Sequence, residues 1–200
     1  YDTTTIRASV GNYLVAKYIR ENTDFKVVLN GDYADEVCGG YLYLKLAPNK
    51  LEFEHERNKL LKNIHYFDSL RSDRCICAWG LEARAPFRYY TGIDSSVSSP
   101  RDRCEKWLLR DAFDGIDLLP DEILWRQKEA FSDGVSSMDR SWYTIAAQAQ
   151  APLTEDEYYK KVFCDHYGKE NMSVIPYKWM PKWGDTTDPS ARTLGIYLKA

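Results

Sequence analysis

Between Thr5 and Tyr18 the apolar residues Ile6, Val10, Tyr13, Leu14 and Tyr18 recur at the spacing of one helical face, which predicts an amphipathic helix ending near Asn22-Thr23-Asp24. Phe25-Lys26-Val27-Val28-Leu29 follows as a short β-branched run suited to a buried parallel strand. Helix, turn and strand in that order predict an α/β fold. A polar turn, NGDYADEVCGGY from Asn30 to Tyr41, leaves the strand and enters a helix near Asp35, where open α/β sheets bind ligands.

Farther along, Leu60, Ile64, Phe67 and Arg71 share one side of a long, charge-laced helix predicted from Lys50 to Arg74, whose other side reads as solvated surface. WGLEARAPF, Trp79 to Phe87, has no period and is closed by Pro86, while SSVSSP, Ser95 to Pro100, reads as an exposed loop and a candidate lobe boundary. Glu105 to Phe113 predicts a further helix ending before Leu119-Pro120, and Asp121-Glu122 opens the run EILWRQKEAFSDGV. The stretch after Ala151 carries four prolines and many aromatics without a period, so residues 1–150 read as the main unit and residues 151–200 as its loosely ordered C-terminal extension.

At 200 residues, with 44% hydrophobic and 14% aromatic content, the chain has the material for a packed core and is no solvated linker. Its 30 acidic and 27 basic residues are interspersed and leave no broad cationic face, so nucleic acid is not an expected partner. No apolar run approaches the roughly 20 residues that span a bilayer, and YDTTTIRASV lacks the apolar core of a signal peptide. A cytoplasmic protein with no membrane partner is expected. Five cysteines, odd in number and without a C-x-x-C pair, argue against a disulfide framework or zinc site, and Cys75 and Cys77 read as semi-buried residues of a reducing cytosol. Asn171-Met172-Ser173 reads as an accidental glycosylation match. The chain begins at Tyr1 and not Met, so upstream sequence is expected to have been removed or left out.

Asp32, Asp35 and Glu36 place three carboxylates within five residues at the end of a strand. Such oxygen donors suit Mg²⁺ beside phosphates, although an acidic turn capping a helix is favoured by spacing alone. Gly39-Gly40 suits a helix end or a close backbone approach equally. Lys128, between Trp125 and Phe131, is able to bind an anion, though surface lysines are commoner.

The succession YDTTTIRAS, NGDYADEVCGGYLYLKLAPN, WGLEARAPF, ILWRQKEAFSDGV and WMPKWGDTTDPSARTL resembles, block after block and over nearly the whole chain, the synthetase domain of glutamine-dependent asparagine synthetases. The resemblance implies a predominantly helical, partial α/β domain of the adenine-nucleotide alpha-hydrolase-like type with few parallel strands. It also implies an ATP- and Mg²⁺-using enzyme, in which aspartate becomes β-aspartyl-AMP and ammonia then releases asparagine. A glutaminase domain, in cis or in trans, would supply that ammonia from glutamine. Asp32 and Lys128 would be catalytic, Asn30 and Gly31 would meet the nucleotide, Asp35 would hold Mg²⁺, and Glu36 and Arg84 would line the substrate pocket.

Departures concentrate in the turn, where the family pattern SGEGSDE reads NGDYADE. Asn30 replaces serine, Asp32 a longer acid, and Tyr33 glycine. The shorter Asp32 carboxylate would sit about 1 Å or more back, a shift that costs on the order of a hundredfold in rate. Tyr33 would be strained at positive φ and would intrude on ligand space. Where the family pattern reads PFLD, Phe87 is followed by Arg88 and Tyr89, so the acid is missing. The family's SGGLDSS pyrophosphate loop does not occur, and neither does the glutaminase domain, so the isolated chain is expected to be inactive, either as a fragment of an enzyme or as a non-catalytic remnant with a binding or structural role.

Overall fold

The computed structural model describes residues 2–89 and 104–197. Helix α1, Thr3–Asn22, opens at Asp2, whose carboxylate accepts the Thr5 N–H at 2.9 Å and satisfies a donor the helix itself leaves unpaired. The helix is the expected one, but its buried face is not. Arg7, Ala8 and Ala16 are buried, whereas Leu14 is 56% and Tyr18 67% exposed. The small alanines let α1 lie closely along helix α4, Asp68–Cys77, so close packing and not apolar periodicity selects the inner face.

Strand β1, Val27–Leu29, pairs in parallel with β2, Glu82–Arg84, with Val28 opposite Ala83. Two expectations change here. β2 falls inside WGLEARAPF, where a three-residue strand is too short to show a period. β1 is not buried on both faces, because Val28 alone turns toward Ala16, Ile76 and Leu81 while Leu29 is 72% exposed.

Helix α2, Ala34–Cys38, follows the turn and ends at Gly39, whose φ of 66° suits glycine. The single helix expected from Lys50 to Arg74 is broken into α3, Lys50–Asn63, a 3₁₀ turn at Ile64–Tyr66, and α4. At Phe67 the backbone leaves the helical region, with φ −125° and ψ −99°. Leu60, Ile64 and Phe67 are buried as expected, and the same face of α3 also buries a charge, Glu56, one turn before Leu60, which accepts a hydrogen bond from Tyr43 Oη at 3.0 Å.

Short helices follow at α5, Trp107–Asp111, α6, Asp121–Leu124, α7, Phe131–Gly134, and α8, Trp142–Ala149. The loop and lobe boundary expected at 95–100 lie outside the described residues. The region after Ala151 is better organised than expected. Helix α9, Glu155–Tyr167, opens with a capping box in which Thr154 and Glu157 satisfy each other's backbone N–H. Leu194 and Tyr197 join Leu42, Tyr43, Leu44 and Phe53 in the main core, with Trp179 and Trp183 packed against it. Aromatic rings bury large areas without helical or strand spacing, which is why no period announced this. All five cysteines are free. Among the described residues no helix is long and apolar enough to cross a membrane.

Candidate active site

The turn after β1 is pinned from three sides. Asn30 donates its N–H to the Arg84 carbonyl at 2.9 Å and its side-chain amide to Ser72 Oγ at 2.5 Å, while its Oδ1 accepts the Asp32 N–H at 3.3 Å. Tyr33 then takes φ 74° and ψ −17°. This left-handed conformation brings Cβ against the backbone, so the strain expected there is present. The Tyr33 ring does not intrude, because it is not among the groups facing the cavity described next.

A cavity of about 570 Å³ opens between this turn, α1, α4, the segment at Lys128–Ser132, and Trp179. Asn30, Gly31, Asp32, Asp35, Glu36 and Lys128 all line it. Arg84 does not. Alternation along β2 turns Ala83 inward and leaves the Arg84 guanidinium 61% exposed and paired with Glu82 at 2.8 Å.

Asp35 lies between two lysines, with Lys128 Nζ 3.1 Å from Oδ2 and Lys106 Nζ 3.1 Å from Oδ1. Gly40 makes room for it, since a Cβ at that position would fall 1.9 Å from Asp35 Oδ1. Burial opposes ionisation of Asp35, but the two ammonium charges outweigh it and bring the carboxyl down to about 2. Burial likewise opposes the charge on Lys128, and Asp35 outweighs it and raises the lysine. Lys128 also lies over the Tyr41 ring, 5.7 Å from its centroid.

Beside this pair, Tyr41 Oη sits 2.5 Å from Glu36 Oε1 and 2.9 Å from Asp68 Oδ2. A phenol carries one proton and cannot donate to both. Burial, with Asp68 and Asp35 nearby, pushes Glu36 up to about 8, so a neutral Glu36 donates to Oη and Oη donates to Asp68. Arg71 donates to Asp68 at 2.9 Å and reaches Asp32 at 3.5 Å. Burial raises Asp32, and Arg71 only partly offsets it.

Tyr41, Asp68, Arg71 and Lys106 were not singled out as site residues by sequence. Arg71 gave a signal, a charge on the same side as Leu60, Ile64 and Phe67. Lys106 gave none.

The cavity falls in the size range of small-molecule sites and offers cations for an anionic ligand. Mg²⁺ fits less well. Both oxygens of Asp35 already face ammonium groups, and among the described residues no group of three or more His, Cys, Asp or Glu side chains is arranged to hold a metal. As placed, these residues do not fit the ion.

Known proteins bear on this geometry. The chain is 43% identical to the glutamine-hydrolyzing asparagine synthetase of Gallus gallus, with all of the chain aligned to 40% of that protein. It is 44% identical to those of Bos taurus and Homo sapiens, again over the whole chain and 40% of each relative. The chain thus spans about 40% of the length of the curated relatives it matches. The alignment to the human protein runs over 227 positions, so that relative carries residues within the matched stretch that these 200 lack. The Asparagine synthase family profile matches residues 1–62 and 47–169, which include the turn, α2, α4 and Lys128 of the cavity, and the chain therefore belongs to the asparagine synthase family.

Proposed function

We propose that this chain is part of the synthetase portion of a glutamine-dependent asparagine synthetase, with the cavity as its share of the site where aspartate is activated and amidated. The observation that carries the reading is the convergence of Lys128, from WRQKEAF, with the NGDYADE turn on one buried cavity. The substrates aspartate, ATP and ammonia, a glutaminase domain in cis or in trans, the adenine-nucleotide alpha-hydrolase-like fold and a cytoplasmic location belong to the same proposal.

ATP would supply an adenylyl group to a β-carboxylate oxygen of aspartate, releasing pyrophosphate, so that AMP is the leaving group when ammonia attacks the β-carboxyl carbon. Lys128 holds anionic charge in a partly dry site, where a fixed cation is worth more than in water. Asn30 and Gly31 present the turn to the nucleotide, Asp32 acts beside Arg71, and Glu36 closes the pocket as a neutral acid. Arg84 contributes its carbonyl to the turn and not its guanidinium to the pocket. A chain extended upstream is expected to form asparagine from aspartate, ammonia and MgATP, whereas the present chain is not. An inactive extended chain would overturn the reading.

Tyr33 at φ 74°, where the family turn has glycine, favours a second reading: a remnant that keeps the fold without the chemistry. Asn30→Ser, Asp32→Glu and Tyr33→Gly together would then restore activity to an inactive extended chain. Equal activity with and without these changes rejects the remnant.

A further inference from the structure

A second cavity, of about 540 Å³, shares the segment 128–131 with the first and is otherwise built from different residues. Its wall is mostly apolar. Leu109 comes from α5, Ile123 from α6 and Val135 from just after α7, and Phe113 and Leu119 lie between the first two in sequence. Leu119, Ile123 and Val135 are 43%, 55% and 63% exposed, so large apolar side chains stand open to solvent around the void. A concave space of this size with apolar walls and a few polar groups has the form of a small-molecule site.

The charges choose the ligand. Among the described residues that line the cavity, the cations are Lys106, Arg110, Arg126 and Lys128, and the acid is Glu129. Three of these cations are already committed. Lys106 and Lys128 each lie 3.1 Å from Asp35, and Arg110 donates to Glu105 at 2.6 Å and to the Leu124 carbonyl. Glu129 is committed as well, since its Oε1 accepts from Arg192 at 2.7 Å and from Tyr197 at 2.6 Å. Arg126 is left with a single contact, to Glu129 Oε2 at 3.3 Å, and is 57% exposed. With these ion-pair partners counted, five cations meet three carboxylates, and the excess positive charge falls to Arg126. A guanidinium offers its N–H donors as a fork that accepts a carboxylate two bonds at a time. One such group suits a monoanion, whereas a polyanion would need several uncommitted cations.

We infer that this cavity binds an amphipathic organic anion, a medium-chain carboxylate whose apolar tail lies against Leu109, Phe113, Ile123 and Val135 and whose head meets Arg126 at the rim. The site is separate from the one assigned to aspartate and ATP and does not depend on that assignment. It adjoins it, because Lys128, which pairs with Asp35, stands in the wall of both cavities.

Calorimetry on the full chain tests the inference, with decanoate and decylamine as probes below their micelle-forming concentrations. Decanoate is expected to bind saturably at a single site. Decylamine, with the same tail and the opposite charge, is expected to bind about tenfold or more weakly, and Arg126→Gln to weaken decanoate by about as much. Ile123→Asp, which sets a charge in the apolar wall, is expected to abolish decanoate binding. Phe25→Lys combined with Val27→Lys is expected to leave it unchanged, which separates the cavity from the exposed apolar residues at β1. No binding of decanoate overturns the inference. Equal affinity for decanoate and decylamine does so too, as does undiminished affinity in Arg126→Gln or loss of binding in the β1 variant. Circular dichroism identifies a variant that fails to fold; if that is Ile123→Asp, Arg126→Gln and the comparison of the two probes decide.

Discussion

Arg7 on α1 and Glu155 at the start of α9 form a buried, two-pronged ion pair, with Arg7 Nε 2.9 Å and an Arg7 terminal nitrogen 2.5 Å from Glu155 Oε2. The other edge of the same guanidinium donates to Asp188 at 2.6 and 2.7 Å. One cation thus ties the first helix to α9 and to the C-terminal segment. Removing it leaves two carboxylates without their partner, and Arg7→Met should destabilise the chain by about 3–5 kcal/mol. Urea denaturation followed by fluorescence checks this. A loss below about 1 kcal/mol would mean the clamp is not held in solution.

Tyr33 predicts a gain. A residue with a Cβ in the left-handed region costs about 1–2 kcal/mol, and glycine does not bear that cost. Tyr33→Gly should raise stability by about 1 kcal/mol after its greater unfolded-state freedom is counted. The denaturation midpoint reports it, and a lower midpoint would show that the ring makes compensating contacts.

Glu36 predicts a pH slope. In the folded chain it keeps its proton up to about 8, against 4.5 for an ordinary glutamate. Between those values the folded state binds more protons than the unfolded one, so this contribution to stability falls as pH rises and levels off above about 8. Asp35 acts in the opposite sense: with a folded value of about 2 against 3.8, its contribution is complete above 3.8 and is lost as pH falls toward 2. Glu36→Gln should flatten the slope measured from about pH 5 to pH 8 and leave the acid limb in place.

The exposed strand predicts self-association. Val27 and Leu29 in β1 and the adjacent Phe25 are exposed beside a two-stranded sheet, the kind of apolar edge that recruits other chains. Phe25→Lys combined with Val27→Lys should lower light scattering at a given concentration without changing the unfolding free energy by more than about 1 kcal/mol. Unchanged scattering would place the association elsewhere.

Much of this molecule was legible from local pattern. The first helix, the strand before the turn and the inward set Leu60, Ile64 and Phe67 follow from spacing alone. The acidic turn at a strand end located the cavity, and the resemblance added Lys128 from nearly a hundred residues away. What escaped was set by tertiary packing. The inner face of α1 is chosen by alanines that admit α4, not by its tyrosines. The break at Phe67 was not seen in a helical pattern that continues through it. Arg84 was assigned by motif, and strand alternation turned it outward. Thr154 and Glu157 spell a capping box that names α9 in advance, but the surrounding prolines masked it.

Gly40 gives the site an unusual dependence. Its missing Cβ is the space in which Asp35 reaches its two lysines. Adding one methyl group there, with no change in the formal charge of any residue, would drive the carboxylate out of its salt contacts and leave two ammonium groups facing each other. The electrostatics of the pocket are therefore controlled by a neutral position, and a survey of charged residues alone would miss the substitution most able to rewrite them.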